Sequence, residues 1–407
     1  MNSARRIKPV GFVYTEDYNA YNFGEGHPLT PLRIEVTYEL MKAYNLLEHP
    51  NLHKISPKPA TEEQVLRIHT QDYLNKLKEL NSLTRPSYKA FPEFGLGPGD
   101  NPIFPGMYDA ALSVCGASIA GADYILKENH NRAFNITGGL HHAMPGMASG
   151  FCILNDVAVA IQYLLDNSPL KTKIMYLDID CHHGDGVQWI FYENPQVLTL
   201  SFHQDGHTIF PGTGHLNENG KGNGKYYALN VPFLPGTFDR PYIETFERIV
   251  SGVMKAYRPD YLVMQCGMDT HFMDPLTNAG LSTEGQEKIF KIVNSLVPDY
   301  SGDKLLALGG GGYNIGVVAR SWTMILANLL GVQIHDPLPT DWLKFLESKW
   351  DDSPTHLPFQ LRDRNFYIEE RQLKDPFWVD SIEAHLDVIV QKFEDEYIPA
   401  IRENPRN

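Results

Sequence analysis

Residues 174–186 read IMYLDIDCHHGDG, a short apolar run that ends in aspartates, histidines and a glycine turn. An apolar run of this length without alternation marks a strand buried on both faces, as in a parallel sheet. Five further runs share that character, at residues 10–14, 133–137, 197–202, 261–265 and 305–308. Helical patterns at 34–47, 108–126, 156–165, 242–256 and 284–296 lie between them. The alternation predicts one α/β domain, with a central parallel sheet and helices on both faces. Two long irregular stretches, 83–104 and 207–225, are rich in Gly with Pro or Asn. Structured loops of that length are usually functional. From about residue 336 the β pattern stops. Residues 336–407 read as a C-terminal extension that packs on a main unit spanning 8–335 and ends in a helix near 380–397.

The 407 residues carry 35 Lys and Arg against 49 Asp and Glu, a formal net charge of −14. That balance speaks against a surface that wraps nucleic acid by neutralising phosphates, and it suits a cationic partner. With 43% hydrophobic and 21% charged residues the chain can build a large core. Cys115, Cys152, Cys181 and Cys266 form no CxxC pair. A disulfide scaffold or a cysteine-type zinc knuckle is therefore not expected, and a reducing intracellular setting is, cytoplasmic or, in a eukaryote, nuclear. No run approaches the ~18 apolar residues of a membrane span, and the longest, near 323–332, is about half that. The expectation is a soluble protein with neither a membrane nor a direct nucleic-acid partner.

The chemistry collects behind the strands. Run 133–137 is followed by GGLHH (His141, His142), and run 174–180 ends as LDIDCHHGDG (Asp178, Asp180, His182, Asp185). CGMD follows run 261–265 and supplies Asp269; GGGGY follows run 305–308 and supplies Tyr313. Ligands of open parallel sheets bind beyond the carboxyl ends of the strands. Side chains alternate along a strand, so Asp178 and Asp180 share a face about 6.6 Å apart, with His182 at the same parity. Buried carboxylates are costly unless paired or bound to a cation. Asp180, His182 and Asp269 make a three-ligand set that leaves an open position, suited to Zn²⁺ with Fe²⁺ or Co²⁺ as alternatives. Taken singly, DxDxH also fits turn residues around a core histidine, and a lone HH fits a surface pair. Four strand ends that converge are harder to explain by stability alone. The His141-His142 pair suits proton transfer, with Asp178 and Asp185 as the spare carboxylates that fix its tautomers. The glycines at 309–312 lack the Lys and Ser/Thr of a phosphate loop. They read as a flexible hinge that lets the Tyr313 hydroxyl swing in. Phe151 and Phe210 read as two walls of a slender apolar tunnel.

The stretches GGLHHAMPGMASGFCILND (138–156), YLDIDCHHGDGVQ (176–188), LSFH (200–203) with FPGTG (210–214), CGMDTHFMDPL (266–276) and LGGGGYN (308–314) stand in one order. Together they resemble the zinc-dependent histone deacetylase family, nearest its class I and acetoin-utilisation-type members, over roughly residues 8–335. The resemblance implies the arginase/deacetylase fold, with about eight parallel strands. It implies hydrolysis of N6-acetyl-lysine on a protein or peptide, and zinc held by Asp180, His182 and Asp269. It implies His142 as base and then acid braced by Asp185, His141 paired with Asp178, and Tyr313 stabilising the oxyanion. Phe151 and Phe210 would line the tunnel with Gly150 in its wall and Leu276 near its mouth. Asp100 would hold the substrate backbone, and Arg33 would stand by an internal cavity that releases acetate. Structural K⁺ or Na⁺ ions are implied at Asp178, Asp180, His182, Ser201 and Phe202, and at Phe191, Asn194, Val197 and Tyr227. Two departures stand out. Pro275 replaces the arginine of eukaryotic class I members, and His271 replaces the second metal carboxylate of the binuclear ureohydrolases, which favours one catalytic metal. The rival readings are an acetylpolyamine or other small-molecule amidohydrolase, a non-catalytic acyl-lysine-binding scaffold and a ureohydrolase.

Overall fold

The computed structural model describes residues 9–350, 360–365, 368 and 374–403. The expected boundaries at 8 and 407 lie outside the described residues. Eight strands form one sheet: β1 (Val10–Val13), β2 (Leu52–Ile55), β3 (Arg132–Asn135), β4 (Ile174–Asp178), β5 (Val197–Gln204), β6 (Ala228–Phe233), β7 (Tyr261–Gln265) and β8 (Leu305–Leu308). Their order is β2-β1-β3-β8-β7-β4-β5-β6, and every pairing is parallel. The expected parallel sheet with flanking helices is what the chain forms.

The six runs read as strands are the six inner positions, and the two that escaped the pattern are the edges. β2 reads LHKI with its two central side chains exposed, so it has no apolar run to show. β6 reads ALNVPF and is buried throughout, but Asn230 and Pro232 break the pattern. Proline lacks the N–H that a central strand needs, and an edge tolerates it. Alternation sends Met175 and Leu177 of β4 to one core and Ile174 and Tyr176 to another. The helices Leu32–Ala43, Asp239–Tyr257, Thr283–Tyr300 and Ile315–Leu330 cover the first face. Asp156–Asp166 and the end of Met107–Leu126 cover the second.

Two helices correct the sequence reading. Ile315–Leu330 was visible only as an apolar run because it is buried almost all round, Arg320 included, and so has no polar stripe to reveal its period. Met107–Leu126, with 20 residues, is long and apolar enough to cross a membrane by length and composition, contrary to the expectation that nothing approaches that limit. Yet 67% of its apolar window is buried inside the protein, against Asp156–Asp166 and β3.

Beyond residue 335, the helices Thr340–Lys349 and Pro376–Lys392 add Trp342, Leu346, Ile382 and Leu386 to the first core. The Trp342 indole donates to the Val36 carbonyl at 3.0 Å. Asp363 reaches back into the main unit, 2.8 Å from Arg320 and 3.1 Å from His271 Nε2, and accepts from the Thr283 N–H at 2.9 Å. Burial alone would raise this carboxyl, but His271, Arg320 and Thr283 hold it well below the usual carboxylate range. A carboxyl whose folded-state pKa is depressed stabilises the fold above its unfolded value of about 3.9 and loses that contribution as pH falls below it. Asp363→Asn is therefore expected to cost about 3 kcal/mol at pH 7, the scale for breaking a buried ion pair. In urea denaturation the gap between variant and wild type should begin to narrow only as pH falls below about 4, and keep narrowing toward the depressed folded-state pKa. A gap that does not change with pH would remove the ion pair as its cause.

Candidate active site

β3, β8, β7 and β4 are neighbours in the middle of the sheet, so their carboxyl ends deliver the four motifs to one place. Asp180 and His182 follow β4, and Asp269 follows β7; their ligand atoms lie within 4.8 Å of one another, all buried. His182 Nδ1 stands 3.1 Å from Asp180 Oδ1 and 2.9 Å from Asp269 Oδ2. Around this trio the donors are mostly backbone or amide. Asp180 Oδ2 accepts from Gln265 Nε2 and from the Gly311 N–H, both at 2.8 Å, and Asp269 Oδ1 accepts from the Cys181 N–H at 2.7 Å. Even so, the second carboxylate is under strain. Burial and then the Asp180 charge push Asp269 above the usual carboxylate range, while His141 and His182 offset burial to hold Asp180 below it. Two buried carboxylates and one imidazole around an open position are a donor set for a divalent ion such as Zn²⁺, so the residues fit the metal that the sequence implies.

The glycines explain why the turn behind β8 carries no side chains. A Cβ on Gly311 would stand 2.4 Å from Asp269 Oδ2 and 2.7 Å from Asp180 Oδ2. A Cβ on Gly309 would meet the Ile136 carbonyl at 2.4 Å. Arg33 fastens the same turn, its Nη1 donating to the Gly310 and Gly312 carbonyls at 3.0 and 2.9 Å. Residues 309–312 are thus a close-packed cradle, which corrects the reading of a flexible hinge. Arg33 also lines a cavity with Tyr18, Leu29 and Leu140.

His141 and His142 face the trio from the end of β3. His141 Nδ1 donates to Asp178 Oδ2 at 2.8 Å, and His142 Nδ1 donates to Asp185 Oδ1 at 2.7 Å. Their two Nε2 atoms lie 3.0 Å apart. Burial lowers both, but Asp178 and Asp180 overcome it at His141 and raise that ring to about 9. At His142, burial and the neighbouring His141 charge win, and its pKa falls. The carboxylate on Nδ1 leaves a neutral His142 with its lone pair on Nε2. His141, His142, Asp180, Gly150, Phe151 and Tyr313 line one narrow cavity. The Phe151 ring lies 5.7 Å from the Tyr313 ring at 84°, and the Phe210 ring 5.0 Å from His142. Between them Gly150, at φ +50°, leaves no room for a Cβ, which would stand 2.5 Å from His142 Cδ2 and 2.9 Å from Phe210. Burial pushes the Tyr313 hydroxyl well above its ordinary value, so it stays a donor.

The remaining predicted residues lie farther out. Asp100 is exposed on the loop that holds His27, whose Nε2 contacts the Asp100 carbonyl at 3.3 Å. Leu276 is 38% exposed beside Asp274. For the implied monovalent ions, Asp178 pairs in register with Ser201, which places Phe202, Asp180 and His182 nearby. Phe191, Asn194 and Val197 belong to one turn, and Tyr227 joins them by accepting from Thr199 of β5 at 2.8 Å. Sequence reasoning missed two positioning residues. Gln265 ends β7 and binds Asp180, whereas Asp274 accepts from the Tyr313 N–H at 2.8 Å and is pushed up to about 6 by burial. Both sit within five residues of Asp269, which is the signal that could have found them.

The histone deacetylase domain matches residues 27–329. The chain belongs to the histone deacetylase family. It is 37% identical over 354 residues to the acetoin utilization protein AcuC of Bacillus subtilis, covering 86% of this chain and 89% of that one. It is also 37% identical over 374 residues to histone deacetylase B of Dictyostelium discoideum, covering 90% and 85%. A crystal structure of an HDAC homologue from Aquifex aeolicus superposes with a TM-score of 0.79 at 32% identity, covering 90% of this chain and 99% of that one. A structure of an HDAC homologue complexed with SAHA gives the same values. The fold is the arginase/deacetylase fold, and this family of deacetylases is generally zinc-dependent.

Because the Gly311 cradle touches both carboxylates, Gly311→Ala should weaken divalent-metal retention at least tenfold while the sheet remains folded. Elemental analysis after dialysis, beside circular dichroism, reads both. Unchanged metal content would show that the turn does not set the ligand positions.

Proposed function

We propose that this deacetylase-family hydrolase cleaves the amide of N6-acetyl-lysine on proteins or peptides, with Asp180, His182 and Asp269 as ligands of a Zn²⁺ ion. The observation that carries the reading is one narrow cavity lined by Asp180 of the metal-type trio, by the carboxylate-braced His142 and by Tyr313. The bound ion would supply Lewis-acid polarisation of the acyl carbonyl and of the attacking water. His142 Nε2, left unprotonated because Asp185 holds the opposite nitrogen, takes the proton of that water. Asp185 offsets the charge that His142 then carries. His141, held by Asp178, lies 3.0 Å away and tunes how readily His142 keeps the proton. The Tyr313 hydroxyl donates to the oxygen that becomes negative as the carbonyl is attacked. His142 returns its proton to the departing lysine amine, which completes acetate and amine. Phe151 and Phe210 flank the approach, and a passage too tight for a Cβ at Gly150 suits an unbranched methylene chain.

Tyr313→Phe should lose about 10²- to 10³-fold in kcat, the scale of one oxyanion donor, and keep its metal content. Near-normal turnover in that variant would remove Tyr313 from the mechanism. Substrate class is read by assaying acetyl-lysine peptide and N-acetylputrescine side by side, with and without a hydroxamate chelator. Peptide turnover that the chelator abolishes is the expected result. A preference for the acetylpolyamine would replace the protein-lysine assignment, and no turnover of either by metal-loaded protein would leave only a binding role.

A further inference from the structure

Outside the strand-end site, one other set of described residues gathers metal-type donors: Asp205, His207 and His215, with ligand atoms within 4.8 Å of one another. They come from the two ends of one loop. Asp205 and His207 follow β5 directly, and His215 lies just past FPGTG. Asp205 Oδ1 accepts from His207 Nδ1 at 2.7 Å and from the His207 backbone N–H at 2.9 Å. The His207 and His215 rings stand 4.5 Å apart at 40°. The His207 side chain is 75% exposed and that of Asp205 21%, so the group is open to solvent.

We propose that Asp205, His207 and His215 form a second, solvent-facing site for a zinc-class divalent ion, one that staples the loop 205–215. Two imidazoles and a carboxylate with room for water are a borderline donor set that selects Zn²⁺, Co²⁺, Ni²⁺ or Cu²⁺ over Mg²⁺ and Ca²⁺. A capping role for Asp205 explains its bonds to His207, but it leaves out His215. That ring arrives from ten residues along the chain and has no hydrogen-bond partner among the described residues, yet it brings a nitrogen to the same carboxylate. Donors about 2.0–2.1 Å from a tetrahedral ion sit about 3.3 Å apart. The 2.7 Å pair therefore opens by about 0.6 Å, which an exposed imidazole reaches by side-chain rotation. His385 acts on Asp205 from the far helix, although its Nε2 is committed to the Pro232 carbonyl at 2.8 Å. Water is left to complete the coordination.

The staple has a target. The loop it closes carries Phe210, whose ring lies 5.0 Å from that of His142 and 6.4 Å from that of His182. On its inner side the loop is already held, by His203 Nε2 on the Gly214 carbonyl at 2.9 Å and by His183 Nδ1 and Thr213 Oγ1 at 2.8 Å. An ion across Asp205, His207 and His215 fastens the outer side, so its occupancy limits the excursions of Phe210 over the cavity.

The test is equilibrium dialysis of the holoprotein against Zn²⁺, followed by elemental analysis. Wild type should take a second equivalent, which His207→Ala and His215→Ala each weaken at least tenfold while keeping the first. In wild type alone, the second equivalent should shift the His207 and His215 ring resonances and slow hydrogen exchange over residues 206–214 at least fivefold. Three results overturn the proposal: a wild type that takes only one equivalent, histidine resonances that ignore the second, or a second equivalent that both variants retain undiminished. The last would instead place the second ion beside the buried one, as in a binuclear centre.

Discussion

Two carboxylates cannot share a dry pocket as anions without a positive charge between them, and Asp180 and Asp269 are such a pair. Much around them follows from that constraint. Amide donors from Gln265, Gly311 and Cys181 spread part of the charge, and glycine is required where the backbone must come close enough to donate. His182 faces both oxygens, and His141 adds a second nearby positive centre. What remains uncompensated is a demand for a cation with a free coordination position, which a sheet can meet at the ends of its central strands.

The same arrangement gives two adjacent histidines opposite electrostatics. His141 and His142 are neighbours in the chain and both are buried, but each ring is tied to a different aspartate. Asp178 and Asp180 together raise His141, and that raised charge helps to lower His142. One ring is biased toward its charged form and the other toward its neutral form. A tandem repeat thereby yields two different electrostatic partners without any difference in residue type.

Most of the site was legible because inner strands of a parallel sheet must be apolar on both faces, so polar residues stand out where those runs stop. Four such stops mark the four central strands. The edges were illegible for the complementary reason: β2 is half exposed, and β6 tolerates Asn230 and Pro232. Ile315–Leu330 hid its period by being buried almost all round. The glycines at 309–312 were misread because a hinge and a cradle need the same residue, and only the surroundings tell them apart. Asp274 was passed over because its role is to bind the backbone of Tyr313, a residue 39 positions away.

Asp363 alters how the boundary of the catalytic unit should be drawn. The histone deacetylase domain match ends at residue 329, after the last motif. Yet Asp363 braces His271, only two positions beyond Asp269, and also Arg320 and Thr283. A fragment trimmed to the matched region would keep every candidate ligand and lose the outside strut of the loop that presents one of them. The stretch with recognisable motifs is therefore smaller than the stretch that holds those motifs in shape.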